Sequence, residues 1–254
     1  MSYIDLQSAL GEWPHEPDQV SVRKILGTDG SVRIQMRVEL GILQMESEGR
    51  PDGAKPYGAD SLLAYHQKLI AVYEQRNGTT LGYVLSTQDC HALRVEASMY
   101  YRRYVALFVL EEFAAVVKDT SHNLAIFDLC RDYAAEPQDR AGLETYRPYV
   151  VMMDARARAY QAMQDGEAAT ALAHVNRGIM HIKTCLEQRP ENVSIDASEE
   201  LKILHALGRE LARKIPQDSL VVTRKALRTA LEQEQFEEAA RLRDVIRNRH
   251  NPPG

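Results

Sequence analysis

Between residues 32 and 40 apolar and polar positions alternate. Val32, Ile34, Met36, Val38 and Leu40 fall on one side, Arg33, Gln35, Arg37 and Glu39 on the other. A period of two is that of a half-buried strand. Residues 20–26 can pair with it through Gly27-Thr28-Asp29-Gly30-Ser31, a glycine-rich hairpin connection. The alternation slips at Gly41, after which Leu43 and Met45 carry the apolar role, so a bulge is expected there. Two strands alone are marginal in water, which predicts that this hairpin lies on helices. The residues before it, with Pro14 and Pro17, show no period and read as an arm.

From Asp60 the period lengthens to that of a helix. Asp60 or Ser61 caps a helix through Arg76, with Gly78 just past its end. Residues 86–89 open a long helix running towards Lys118, striped by Leu93, Ala97, Tyr100, Tyr104, Leu107 and Leu110. Asp119 or Ser121 is expected to start the next, stopped by Pro137. Pro148 sits where a first turn tolerates proline, and that helix ends at Asp165-Gly166. Residues 167–189 form another, closed by Pro190. Asp196 with Glu199 resembles a capping box for a helix ending before Pro216, and Asp218 opens a final pair.

Short turns between these segments imply antiparallel neighbours. Residues 155–179, with Tyr160, an Asp-Gly turn and then Ala168, Ala169, Ala171 and Ala173, resemble one tetratricopeptide-type pair, although no fixed period runs along the chain. The expected fold is therefore mainly α: a helical-repeat-like (TPR-like) bundle with a small N-terminal β-hairpin and a C-terminal helical hairpin. The expected divisions are 1–58 for arm and β-hairpin, 59–215 for the helical body, and 216–254 for the terminal hairpin.

That last hairpin carries the strongest motif. Leu220, Leu227 and Leu231 line its first helix. Phe236, Ala239, Ala240, Leu242 and Ile246 make a wide apolar band on the second. Ala239 and Ala240 allow close approach of the two backbones, and Glu237 is spaced to pair with Arg241. The band is wider than one partner helix covers, so part of it is expected to rest on the body, a second copy or another protein.

The run FEEAARLRDVIR, carried by Phe236, Glu237, Ala239, Ala240, Leu242, Arg243 and Asp244, resembles the UVR domain, the UvrB/UvrC motif. That motif ends the UvrB helicase and lies inside the UvrC nuclease and certain stress regulators. The resemblance implies protein–protein association of helical hairpins, like with like or between different UVR proteins, and brings no catalytic residue. Partner-binding residues would be Leu227, Leu231, Phe236, Ala239, Ala240, Leu242, Arg243 and Ile246. The segment GxDG…IQ-x-R-x-E-LG-x-LQME…GRPDG, with Gly27, Asp29, Gly30, Ile34, Gln35, Arg37, Glu39 to Glu46 (apart from Ile42) and residues 49–53, is similar to the start of bacterial UVR-containing proteins and names no activity.

The remaining features narrow the function by exclusion. Composition is that of a folded protein, 44% apolar and 26% charged, with a net charge of −5 that gives no general attraction to phosphate. No P-loop or nuclease centre is readable, and Cys90, Cys130 and Cys185 make no CxxC pair, so no catalytic residue, cofactor or metal is expected. No secretory signal or membrane-length apolar run appears, so a cytoplasmic protein is expected.

Weaker constellations have plainer readings beside them. His174, His181 and Cys185 share a helix face but lack a fourth ligand; a half-buried face explains them. Glu111, Glu112 and Asp119 near Arg102 and Arg103 read as solvated or paired helix faces rather than an acid–base cluster. Asp154, near Arg156 and Arg158, reads as an exposed turn, and His66 as a core-edge histidine. The strand face with Arg33 and Arg37, or the terminal Arg241 and Arg247 in a segment of net charge +2, offers weak, salt-sensitive contact with nucleic acid as the alternative function. The favoured expectation is a non-enzymatic adaptor or regulator docking through its last hairpin onto another UVR protein or itself, linked to nucleotide excision repair or stress response.

Overall fold

The computed structural model describes residues 7–188, 195–215, 220–233 and 235–250. After a short helix α1 (Gln7–Gly11), the chain forms an antiparallel sheet of β1 (Val22–Leu26), β2 (Val32–Val38) and β3 (Gly41–Glu46), in that order. Val22 faces Met36 and Leu26 faces Val32 across the first pair, and Gly27 donates to the Ser31 carbonyl at 2.8 Å to close the turn. Gly30, at φ 78°, supplies the left-handed residue this connection requires. The arm is tied down: Trp13 Nε1 donates to Ser21 Oγ at 2.6 Å, and Arg23 lies 4.2 Å above the Trp13 ring.

The expected bulge at Gly41 is instead a chain reversal. Val38 pairs with Gly41, so Glu39 and Leu40 are the whole turn, and Leu40 is almost fully exposed. Leu43 and Met45 shift phase because they lie on a third strand running back along β2. Met45 joins Ile34 and Met36 on the inner face, which enters the same apolar core as Tyr104, Leu107 and Val116. The sheet therefore lies on helices, as two or three bare strands must.

The helices begin where side chains can satisfy free amides. Ser61 caps α2 (Leu62–Asn77) by accepting from Ala64 N at 3.0 Å, and Gly78 closes it at φ 72°. Ser86 and Asp89 form a reciprocal capping box on α3 (Thr87–Val109). The stripe from Leu93 through Leu107 is buried as read, but the helix does not run to Lys118. It ends at Val109, and α4 (Phe113–Tyr133) starts before Asp119. Glu111 takes φ 59°, with Glu112 N bonded to Leu107 O at 2.9 Å and Glu111 N to Phe108 O at 3.1 Å. This is a Schellman-type stop with glutamate in the place usually taken by glycine. It delivers Phe113 and Val116 into the core.

Pro137 opens a short α5 (Pro137–Ala141) rather than merely stopping a helix, and Pro148 lies in the first turn of α6 (Arg147–Gln164). Then follow α7 (Ala168–Glu187) and α8 (Glu199–Lys214). Ser198, not Asp196, caps α8, accepting from Leu201 N at 3.3 Å. Arg189, Pro190, Pro216 and Asp218 lie outside the described residues.

α3 packs on α4, α4 on α6, α6 on α7 and α7 on α8. A tetratricopeptide-type repeat is not established, since these helices have 23, 21, 18, 20 and 16 residues. Close approach is real at Gly178, where a Cβ would sit 2.5 Å from that of Ala155 and 3.1 Å from Leu204 Cδ1. No helix among the described residues is long and apolar enough to cross a membrane.

Candidate functional site: the terminal hairpin

α9 (Leu220–Glu232) and α10 (Phe236–His250) pack on each other, and no element of the helical body makes an extended contact with either among the described residues. Gln235 N reaches the Ala230 carbonyl at 2.8 Å and Ala239 N the Gln235 carbonyl at 3.0 Å, which fixes the turn. Glu237 and Glu238 lie in the first turn of α10, where the helix dipole favours acids.

The seam is made of small residues. Ala230 and Ala239 are buried against the facing helix, whereas Ala240, expected beside Ala239 in the seam, is exposed. Leu227, Leu242 and Ile246 are half-buried at its edges. The large apolar side chains stay in water: Phe236 is 69% exposed, Leu231 52% and Val245 39%. Leu231 and Phe236 flank the turn, so this apolar surface is concentrated at that end of the hairpin.

Charges on the hairpin pair locally. Arg241 binds Glu238 at 2.9 Å rather than the expected Glu237, and Arg243 binds Asp244 at 3.0 Å. The Leu220 and Arg247 side chains lie outside the described residues.

The strand face proposed for phosphate does not present its cations. Arg37 is buried, donating to the carbonyls of Trp13 at 2.7 Å and Gly41 at 3.0 Å, and also to that of Val38. Arg33 is held by Asp29 at 2.8 Å and Glu46 at 3.0 Å. Three hydrogen bonds donated by the Ser31 hydroxyl, the Ser31 amide and the Arg33 guanidinium hold the exposed Asp29 carboxyl well below its usual range, the Ser31 hydroxyl foremost.

Other constellations resolve into structure. Arg103 and Asp119 form a buried two-pronged ion pair, at 2.8 and 2.7 Å, while Glu112 pairs with Lys24 at 2.5 Å. Asp154 is half-buried, accepting from Thr120 Oγ1 at 3.1 Å and Arg158 at 2.8 Å, so the exposed-turn reading is corrected. His66 is buried beside the Tyr83 hydroxyl; burial pulls its pKa below the ordinary value against the pull of Asp89 and Glu96. No group of three or more His, Cys, Asp or Glu among the described residues is placed to hold a metal.

One buried group went unread. Glu96 is fully buried; it accepts from the amides of Leu62 at 2.8 Å and Leu63 at 3.2 Å, and from His122 Nε2 at 3.1 Å. Arg50, from the loop between Gly49 and Gly53, approaches it at 3.5 Å. Burial would raise the Glu96 carboxyl, but these bonds, His122 foremost, outweigh it and hold it below its usual range. The signal was present in the spacing: 93, 96, 97, 100, 103, 104 and 107 make one helical stripe, which places both Glu96 and Arg103 inside.

No curated protein and no solved structure matches the chain. A family model does match the hairpin just described: residues 219–248 carry the UVR, or UvrB/uvrC, motif.

Proposed function

We propose that this protein is a non-enzymatic adaptor or regulator, and that α9 and α10 dock onto another UVR-bearing protein or a second copy. The motif is associated with UvrABC-related interactions and DNA repair. The observation that carries the reading is the apolar surface of Leu231 and Phe236, left in water at the turn of a hairpin with which no element of the body makes an extended contact among the described residues. Large side chains exposed together on a small unit mark an interaction site. Burying a Phe side chain is worth about 1.5–3 kcal/mol, so one such anchor is a substantial part of a modest affinity.

Phosphate binding has less support, because Arg37 and Arg33 are engaged within the sheet and its turn. The test replaces Phe236→Glu and Leu242→Ser in the full chain and measures capture of UvrB, UvrC and a tagged second copy. The expected result is loss of capture with the helical circular dichroism unchanged. Retention of every one of these partners by the folded variant refutes the docking role.

A further inference from the structure

A cavity of about 640 Å³ opens between α3, α4 and α6, with Glu200 of α8 also on its wall. Protein interiors leave few voids larger than a water molecule, whereas small-molecule sites occupy roughly 300–1,000 Å³. The space is therefore of ligand size. Tyr101, Tyr146, Tyr149 and Phe127 contribute aromatic wall. Tyr101 and Tyr149 lie 6.1 Å apart, tilted against each other. Tyr101 is 45% exposed and Tyr146 61%, so these two rings stay in contact with water. Phe127 already has the Arg147 guanidinium 5.6 Å from its ring centre, which leaves the tyrosines as the rings available to a ligand.

The charges on the lining do not balance. Arg94 is matched by Asp139 at 2.7 Å, so its cation is already spent. Glu200 is half-buried and accepts from Ser198 Oγ at 2.7 Å, which steadies the carboxylate, and no ion pair involves it among the described residues. Lys202, two residues further along α8, is taken by Glu199 at 2.7 Å. Ser98 and Thr145 add hydroxyls, which carry no charge. The Tyr104 hydroxyl and Asn123 Oδ1 are sealed off and take no part. Burial holds the Tyr149 phenol above its ordinary range, with Tyr101 adding to the rise, so that ring stays neutral.

One unmatched carboxylate among tyrosine rings favours a cation, because ring faces are electron-rich and attract positive charge. A bare ammonium is strongly hydrated and would need acceptors for three N–H groups on leaving water. An alkylated ammonium has less hydration to lose and puts methyl groups against the rings. We infer that the cavity binds a small organic cation with an alkylated ammonium group, its charge facing Glu200 and its methyl groups against Tyr101, Tyr146 and Tyr149. This goes beyond the docking role of the terminal hairpin and stands whether or not that role does.

The test titrates choline, benzyltrimethylammonium and dimethylbutanol, in which carbon replaces the ammonium nitrogen of choline, into the full chain by calorimetry at constant chloride. Benzyltrimethylammonium is expected to bind with a Kd below about 1 mM, and choline at least about fivefold more tightly than its uncharged isostere. Glu200→Gln keeps an oxygen for Ser198 but removes the charge. It should weaken both cations about tenfold and leave the isostere unchanged, whereas damage to the cavity would weaken all three alike. Tyr101→Leu should also weaken both cations, with the helical circular dichroism unchanged. Phosphatidylcholine vesicles separate two sources of the same chemistry: co-sedimentation assigns a lipid headgroup, and its absence alongside choline binding assigns a soluble cation. No binding of either cation at about 10 mM, an isostere that binds as tightly as choline, or unchanged cation affinity in Glu200→Gln overturns the inference.

Discussion

The Arg103–Asp119 pair gives a sharp test of how the sheet and the bundle are joined. Both groups are almost fully buried, and the guanidinium uses all three nitrogens: Nε and Nη2 on the two Asp119 oxygens, Nη1 on the Glu46 carbonyl at 3.0 Å. It also lies 4.9 Å from the Tyr100 ring centre. Asp119→Leu strands a cation that cannot shed its charge, a loss of about 3–5 kcal/mol. For a domain of this size that lowers the melting temperature by roughly 6–20 °C. Arg103→Met should cost less, because the orphaned carboxyl can neutralise itself by taking a proton. Burial already holds that carboxyl above its usual range even against Arg103. A carboxyl whose folded pKa is raised binds its proton more tightly when folded, so the Arg103→Met deficit should shrink as pH falls from about 8 to about 5. The double variant Arg103→Met/Asp119→Leu removes both charges and should recover most of the loss. Thermal unfolding followed by far-ultraviolet circular dichroism measures all four proteins. A cost below about 1 kcal/mol for Asp119→Leu, or a double variant as unstable as the sum of the singles, refutes the reasoning.

Two further outcomes follow from the packing and the buried titratable groups. Gly178→Ala should destabilise by about 1–3 kcal/mol, because its Cβ meets Ala155 at 2.5 Å, whereas Gly208→Ala, whose nearest contact is an ordinary 3.4 Å, should gain about 0.5–1 kcal/mol; urea titration separates them. Acid should act in two stages. His66, held neutral by burial, is stabilising above its ordinary 6.5 and penalises the fold as pH drops below it, so His66→Phe should flatten that part of the curve. Glu96, held low, contributes fully above its ordinary 4.5 and loses that contribution as pH falls through its folded value, a limb that Glu96→Gln should abolish.

What could be read in advance was punctuation with a strong local cause. Ser61, Gly78, the Ser86–Asp89 box, Pro148 and Gly166 mark their boundaries because each supplies or removes a particular backbone bond or dihedral. The stop at Glu111 was hidden because glutamate rarely takes a left-handed φ; the contacts of Phe113 and Val116 in the core offset a local cost of about 1–2 kcal/mol. The third strand was hidden for a similar reason, since Glu39-Leu40 is not a turn sequence. In the hairpin the apolar positions were legible, but which alanine meets the facing helix depends on the rotation of α10 about its axis. A one-residue difference of about 100° sends Ala239 inward and Ala240 to solvent.

The body and the tail treat polarity in opposite ways, and that contrast bears on how the proposed docking would operate. In the body, charged groups are drawn inside and spent on holding elements together: Glu96 ties α2 to α3 and α4, and Arg103 ties α3 to α4 and the end of β3. Such locks resist rearrangement, since breaking one strands a buried charge. In the tail, charges pair with near neighbours on their own helix and the large apolar groups are what remain for a partner. Exposed pairs of this kind contribute about 0–1 kcal/mol and select weakly between partners. Recognition at Leu231 and Phe236 therefore rests on shape and burial, and salt should change it little. With no extended contact from α9 or α10 to the body among the described residues, docking at the turn has no lever there on the Glu96 or Arg103 locks, so the hairpin should bind its partner equally well in variants that weaken the body but leave it folded.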